Sequence, residues 1–298
     1  MGLTSELELR GTAPLDTAAL FAFLGARAVP GVEVWDGAVF HRSLDLVHGP
    51  GVARLRPAGV NRAAVTAHIR LADERDLDDA VGRLRRLLDL DVDIAAVDGA
   101  LAADPVLAPV VAAAPGMRKP GSVDPFETAV RAVIGQQISV AGARTVAGRI
   151  VALIGAPLEL DGGPVAHRFP TPAALAAIDP ELLPMPWSRR RTLLEMAARV
   201  ADGRVVLDHD APAADVTAAL LDVPGIGPWT AGYVQMRGLG DPDVFLPTDL
   251  GVVKSLAVLG VEAERAARWA PWRSYALHHL WRLSGFAVAP RMGGKGPA

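Results

Sequence analysis

"DVPGIGPWTAGYVQMRGL", residues 222–239, decides how the whole chain is read. Pro224 and Pro228 bracket a sharp break between two apolar helical segments, and Trp229 follows at once. Leu221 and Val223 lead into Gly225-Ile226-Gly227, a spacing that permits a tight turn with Ile226 tucked between the helices. The two glycines also clear side chains from the turn. Its backbone N–H groups and the next helix N-terminus can therefore approach an anion. Taken alone, the same residues serve equally well as a plain connection between two helices.

The neighbouring residues carry more chemistry. Trp229 and Tyr233 are four apart, so one helical face presents both rings. Downstream comes "DVFLPTDLGVVKS", in which Asp249, twenty-two positions after Gly227, follows Pro247 and Thr248. Asp in that place is a helix N-cap. A helix N-terminus also stabilises negative charge, which suits a group that must oppose a developing cation. Trp and Tyr at helical spacing can equally pack a core.

Further out, residues 1–90 read as a mixed α/β unit. "SELELRG" alternates like a strand and "LDTAALFAFLGARAV" has helical spacing after the Asp16/Thr17 cap region. Three more alternating stretches separated by Asp-Gly and Gly-Pro-Gly turns read as an antiparallel meander, closed by the amphipathic "ERDLDDAVGRLRRLLDL". From residue 91 to 298 the alternation gives way to successive helices with Pro or Gly at nearly every junction. "PGMRKPGSVDP" (115–125) reads as a loop, with Asp124 and Glu127 as a capping box for one long helix running to about residue 155. The expected class is α+β, an α/β unit followed by an all-helical region with a hairpin at 221–231.

Composition narrows the function. With 51% hydrophobic and 21% charged residues the chain is globular. There is no cysteine, which removes disulfides, thiolate-held clusters, Cys-ligated zinc and Cys nucleophiles from this chain. His41, His48, His68, His167 and His209 are scattered, and His278 and His279 point to different sides of a helix, so no histidine metal site is expected. The 30 basic and 33 acidic residues give a net charge of −3. Many nucleic-acid-binding domains are more basic, yet a compact patch suffices for few phosphate contacts. "MGLTSELELRG" has neither the basic nor the apolar part of a secretory signal, and Asp and Pro cut the most apolar stretch. A cytoplasmic protein without membrane contact is expected.

These motifs together resemble the helix-hairpin-helix DNA glycosylase superfamily, in particular the 3-methyladenine DNA glycosylase II type that repairs alkylated bases. The likeness extends through "FAFLGARAVPGVE" (21–33), "DGALAADPVLAPVVAAAPGMRKPG" (98–121), "DPFETAVRAVIGQQISVAGA" (124–143) and "WAPWRSYALHHLW" (269–281). It implies a TATA-binding-protein-like antiparallel α/β domain followed by helical subdomains with the active site between them. By the same resemblance Asp249 takes the place of the catalytic carboxylate, and Trp229, Tyr233 and Trp281 line the base pocket. Gly225, Ile226, Gly227, Thr230, Gln136 and Gln137 fall at DNA-contacting positions. Carbonyls of Leu221, Val223 and Ile226 would hold a structural Na+ or K+, and no other cofactor is implied. The implied partner is duplex DNA carrying damaged bases, bound by a monomer.

The implied chemistry is physically coherent. A methylated purine is cationic and already a good leaving group. Electron-rich rings favour it, and a base–aromatic stack is worth about 1–3 kcal/mol. One carboxylate can then oppose the oxocarbenium-like sugar without a general acid. Two departures are visible. Relatives place an apolar wedge in "GQ-x-[IV]-S", where this chain has Gln137. Strand-cutting relatives place a lysine after the hairpin glycines, where this chain has Trp229; its only lysines are Lys119, Lys254 and Lys295. A monofunctional glycosylase for 3-methyladenine and 7-methylguanine is therefore expected. The alternatives are a glycosylase for deaminated or oxidised bases and a non-catalytic damaged-DNA-binding protein.

Overall fold

In β1 (Leu3–Arg10), Leu3, Leu7 and Leu9 alternate with exposed Thr4, Glu6, Glu8 and Arg10, the pattern of a strand covered on one face. The computed structural model describes residues 2–59, 62–161 and 163–285. Four more strands, β2 (Glu33–Trp35), β3 (Phe40–Asp45), β4 (Pro50–Pro57) and β5 (Ala64–Leu71), complete an antiparallel sheet of order β1-β5-β4-β3-β2. Its register sets Leu7 opposite Ala67, Ala67 opposite Leu55 and Leu55 opposite Phe40, one apolar row across the covered face. Helices α1 (Thr17–Arg27) and α2 (Leu77–Leu88) supply Phe21, Leu24, Leu84 and Leu88 to the same core. Each such side chain contributes roughly 1.5–3 kcal/mol when withdrawn from water.

Ten helices follow. They are α3 (Ile94–Ala102), α4 (Ala108–Ala112), α5 (Pro125–Gly135), α6 (Val140–Ile154), α7 (Pro172–Ala176), α8 (Trp187–Ala201), α9 (Ala213–Leu221), α10 (Pro228–Arg237), α11 (Leu250–Leu259) and α12 (Arg273–Leu283). An antiparallel sheet followed by helices is the α+β class that the sequence predicts. Two apolar cores form. One joins the sheet, α2 and α3 to buried residues of α11 and α12; the other is built from α5 through α10. The first closes late in sequence: buried Asp104 receives Nε (3.0 Å) and Nη2 (2.6 Å) of Arg265 and the indole of Trp269 (2.9 Å). No helix among the described residues is long and apolar enough to cross a membrane.

One local expectation holds with an addition, and two need correction. The stretch 115–125 has no regular helix or strand, as a loop should, yet it runs through the interior, with Arg118 and Lys119 only 4% and 2% exposed. Both cations end on carbonyls: Arg118 donates to Asp89 O at 3.0 Å, and Lys119 to Met236 O at 3.3 Å and Gly240 O at 3.1 Å. The capping box is half present. Asp124 accepts the N–H groups of Phe126 and Glu127, but Ser122 Oγ takes the Asp124 N–H in place of Glu127.

Glu127 instead joins a buried network across the two cores. Arg42 of β3 donates Nη1 to Glu33 and Glu127 (2.9 Å each) and Nη2 to the other Glu127 oxygen. Arg131 donates to Glu33 at 3.0 Å and Glu127 at 2.8 Å. Burial pushes the Glu127 carboxyl up, but Arg42 and Arg131 outweigh it and leave its pKa below the ordinary glutamate value.

The single long helix also divides. α5 stops at Gly135, Gln137 takes the left-handed φ of 59°, and Ser139 starts α6 by accepting the Gly142 N–H at 3.1 Å. The network above fixes α5, and α5 delivers this turn to the cleft described next.

Candidate active site

The proline and glycines after α9 turn the chain so that α10 starts at Pro228, a favoured first helical residue. Gly225 needs its lack of side chain twice over: its φ is +91°, and a Cβ there would lie 2.1 Å from Thr192 Oγ1. Gly227 is different. Its φ of −103° is open to any residue, and a Cβ would meet nothing within 4 Å. The first glycine is thus demanded by the fold, while the second leaves open space on the surface.

Trp229 and Tyr233 stack with centroids 5.2 Å apart and an 18° interplanar angle. Trp281 from α12 stands 6.2 Å from Tyr233. These rings border a cleft of about 950 Å³ that also meets the 136–139 turn, Gly225, Thr248, Asp249 and Leu250. A drug-sized group fits such a volume.

Asp249 caps α11 and faces this cleft. Oδ1 accepts the N–H of Gly251 (2.9 Å), the N–H of Val252 (3.1 Å) and the Trp281 indole (2.8 Å). Oδ2 accepts only the Trp229 indole, at 3.0 Å. Four donors fix the carboxylate while Oδ2 keeps spare acceptor capacity.

Trp281 is 5% exposed and packs edge-on against His278 at 4.9 Å, so it is both a pocket wall and a holder of Asp249. Burial lowers the His278 pKa well below the ordinary value, so at neutral pH the imidazole behind the pocket is neutral. For Tyr233, burial pushes the phenol up. Arg237, which donates to its oxygen at 3.1 Å, and Arg27 outweigh that and lower its pKa.

The residues expected at the DNA surface separate. Gln136 gives its amide to Gly225 O and Thr230 Oγ1, both at 3.1 Å, and Thr230 is 3% exposed. Those two therefore brace the hairpin from within, because each satisfies the other's buried polar atoms; the side chain of Thr230 does not reach the surface. Ile226 is likewise 6% exposed and packs in the second core. Gln137 is exposed at the rim. Beside it the sequence reading missed Ile138, 38% exposed, and across the cleft Leu250, 70% exposed. Their positions next to Gln137 and Asp249 were the available signal.

Of the carbonyls expected to hold a cation, that of Val223 accepts the Ile226 N–H at 3.0 Å, within the turn. Those of Leu221 and Ile226 accept no such backbone bond among the described residues. Two unclaimed oxygens at one turn fit a monovalent ion. No lysine borders the cleft among the described residues. Lys119 is buried against carbonyls, Lys254 lies on α11 five residues past Asp249, and Lys295 lies outside the described residues.

Comparison with known proteins shows what the chain is similar to. Residues 6–124 match the AlkA N-terminal domain family. The chain is 37% identical over 280 residues to DNA-3-methyladenine glycosylase 2 of Escherichia coli K12, covering 92% of this chain and 95% of that one. It is 46% identical over 285 residues to a probable bifunctional transcriptional activator/DNA repair enzyme AlkA of Mycobacterium tuberculosis H37Rv. That match covers 93% of this chain but spans only 57% of the relative's length. The structure of a 3-methyladenine DNA-glycosylase from Archaeoglobus fulgidus superposes with a TM-score of 0.81 at 22% identity, covering 95% of this chain and 98% of that one; it shares the fold.

Proposed function

The chain belongs to the DNA-3-methyladenine glycosylase 2 (AlkA) family, and on that premise we propose that it excises alkylated bases from duplex DNA as a cytoplasmic monomer. The observation that carries this reading is Asp249, held at the edge of an aromatic cleft by two indole N–H groups. A flipped 3-methyladenine or 7-methylguanine enters the cleft beside the stacked Trp229 and Tyr233 rings and Trp281, where its positive charge meets their π-electron density. Asp249 opposes the charge that develops on the sugar as the glycosidic bond breaks. Because the capping amides and indoles are already in place, little reorganisation accompanies the reaction.

The hairpin at Gly225–Gly227 meets phosphate, and Gln137 with Ile138 fills the gap left in the stack. A Na+ or K+ held by carbonyls of Leu221, Val223 and Ile226 would add positive charge toward that phosphate. The working units are an α/β part up to about residue 90 and a helical part beyond it. With an indole where strand-cutting relatives have an amine, the product is an intact strand with an abasic site.

A second reading has one observation in its favour: Arg27, Arg131 and Arg237 also border the cleft. Guanidinium groups favour bases that present carbonyl oxygens, as deaminated and oxidised bases do. Incubation with duplexes carrying single defined lesions, followed by identification of the released base, tests both. Free 3-methyladenine and 7-methylguanine are the expected products. Release of deaminated or oxidised purines alone would favour the second reading, and binding without release of any base would refute both.

A further inference from the structure

Of the six tryptophans, only Trp187 is exposed, at 52%, and it opens α8 directly after Pro186. A ring left in water so near the candidate DNA face calls for an explanation. Its helix is fixed to the hairpin: Thr192, five residues on, donates Oγ1 to Pro224 O at 2.9 Å, and it is the group that a Cβ on Gly225 would strike. Gly225 in turn receives Gln136. The start of α8, the hairpin and the 136–139 turn are therefore one continuous surface.

Around Trp187 arginines outnumber carboxylates. Arg189, Arg190 and Arg191 follow it, and the first turn of α8 has no acidic residue. Arg190 is engaged, with Nε on Met185 O at 2.8 Å, Nη1 on Glu181 at 3.1 Å and its guanidinium 5.7 Å from the Trp187 ring. Arg189 and Arg191 form no ion pair with any described residue. Ser188 and Thr192 share the helix face toward the hairpin, so Arg189 and Arg191 project on either side of it.

Resting on the reading that the hairpin grips DNA, we propose that the start of α8 is a second contact surface for the same duplex. Trp187 lies against a base or sugar beyond the hairpin, and Arg189 and Arg191 neutralise flanking phosphates. Five helical residues span about 7.5 Å, roughly two phosphate steps along one strand. The occupant is nucleic acid rather than protein because the patch pairs one aromatic ring with unopposed arginines, the combination that suits a phosphate-lined ladder of bases.

The test measures dissociation constants for a duplex with a stable abasic analogue across a salt series. It compares the native chain with W187A, W187F and R189Q/R191Q, all at exposed or half-exposed positions. Loss of a base–aromatic stack should weaken W187A roughly fivefold to hundredfold, with W187F largely restored. R189Q/R191Q should lower the slope of log K against log salt by about 1 to 2. Unchanged affinity and slope in variants of a protein that itself binds DNA would overturn this surface and leave the glycosylase reading intact. A shift in oligomeric state of W187A, with DNA affinity preserved, would also overturn it by showing a protein contact. If the native chain neither binds nor excises, both readings fall.

Discussion

Replacing Asp249 with Asn tests the carboxylate with little change of shape, and the four donors dictate how the amide must sit. Oδ1 receives three N–H groups and Oδ2 one, so the single amide oxygen has to take the Oδ1 place. The NH2 group then faces the Trp229 indole, donor against donor. The cap of α11 survives because Asn caps as well as Asp. One unmade buried bond costs about 1–3 kcal/mol of stability, which a folded protein tolerates. For the reaction, a full charge about 4 Å from the sugar at an effective dielectric near 20 is worth about 4 kcal/mol. At about 1.4 kcal/mol per tenfold, excision should slow by roughly a thousandfold. Single-turnover release of 7-methylguanine from alkylated duplex, with DNA affinity measured alongside, reads both quantities. Because the donor clash is with Trp229, adding W229F should cost less stability in the D249N background than in the native chain. Excision by D249N within tenfold of native would refute the electrostatic argument.

The two hairpin glycines should respond in opposite ways: G225A lowers the thermal midpoint because its Cβ meets Thr192, whereas G227A folds normally and loses DNA affinity in a sequence-independent manner. If G227A binds every duplex as the native chain does, the hairpin is not the phosphate contact. Borohydride added during turnover should trap no protein–DNA adduct, since no described lysine borders the cleft; an adduct mapped to a lysine would disprove a monofunctional enzyme. Stability should fall as pH drops below the ordinary histidine value of about 6.5, because burial holds His278 well below it and His279 down to about 4, so the unfolded chain takes up protons first. The loss should steepen below the ordinary glutamate range as Glu127, depressed by Arg42 and Arg131, is forced to protonate. A thermal midpoint constant from pH 7 to pH 4 would contradict the histidine argument, and one that does not fall further from pH 4 to about pH 2 would contradict the Glu127 argument.

What the sequence made legible was local. The hairpin is announced by Pro and Gly within a few residues, and the Asp249 cap by its place before an apolar run. What stayed hidden was made by partners far along the chain. Gln136-Gln137-Ile138 contains no helix breaker, and the helix ends there because Gln136 is drawn onto Gly225, 89 residues away. Glu127 satisfies a capping-box spacing, but Arg42, 85 residues earlier, offers a buried guanidinium that outcompetes the local bond. The convergence of two indoles on Asp249 joins residues 20 and 32 positions from it, which no periodicity reveals. The burial of Arg118 and Lys119 was not legible either, because they donate to main-chain carbonyls, which leave no mark on composition.

The late closure of the first core has a consequence during synthesis. Asp104 emerges from the ribosome long before Arg265 and Trp269, the side chains that later enclose it. About 165 residues separate Asp104 from Trp269, and at roughly 5–20 residues per second the wait is on the order of 8–33 seconds. During that time the sheet and α3 present an apolar flank bearing a carboxylate whose local partner is the Val106 N–H at 3.0 Å. That charge keeps the flank wetted and discourages it from adhering to another nascent chain. The same aspartate that anchors the finished fold thus acts as a gatekeeper for the unfinished one.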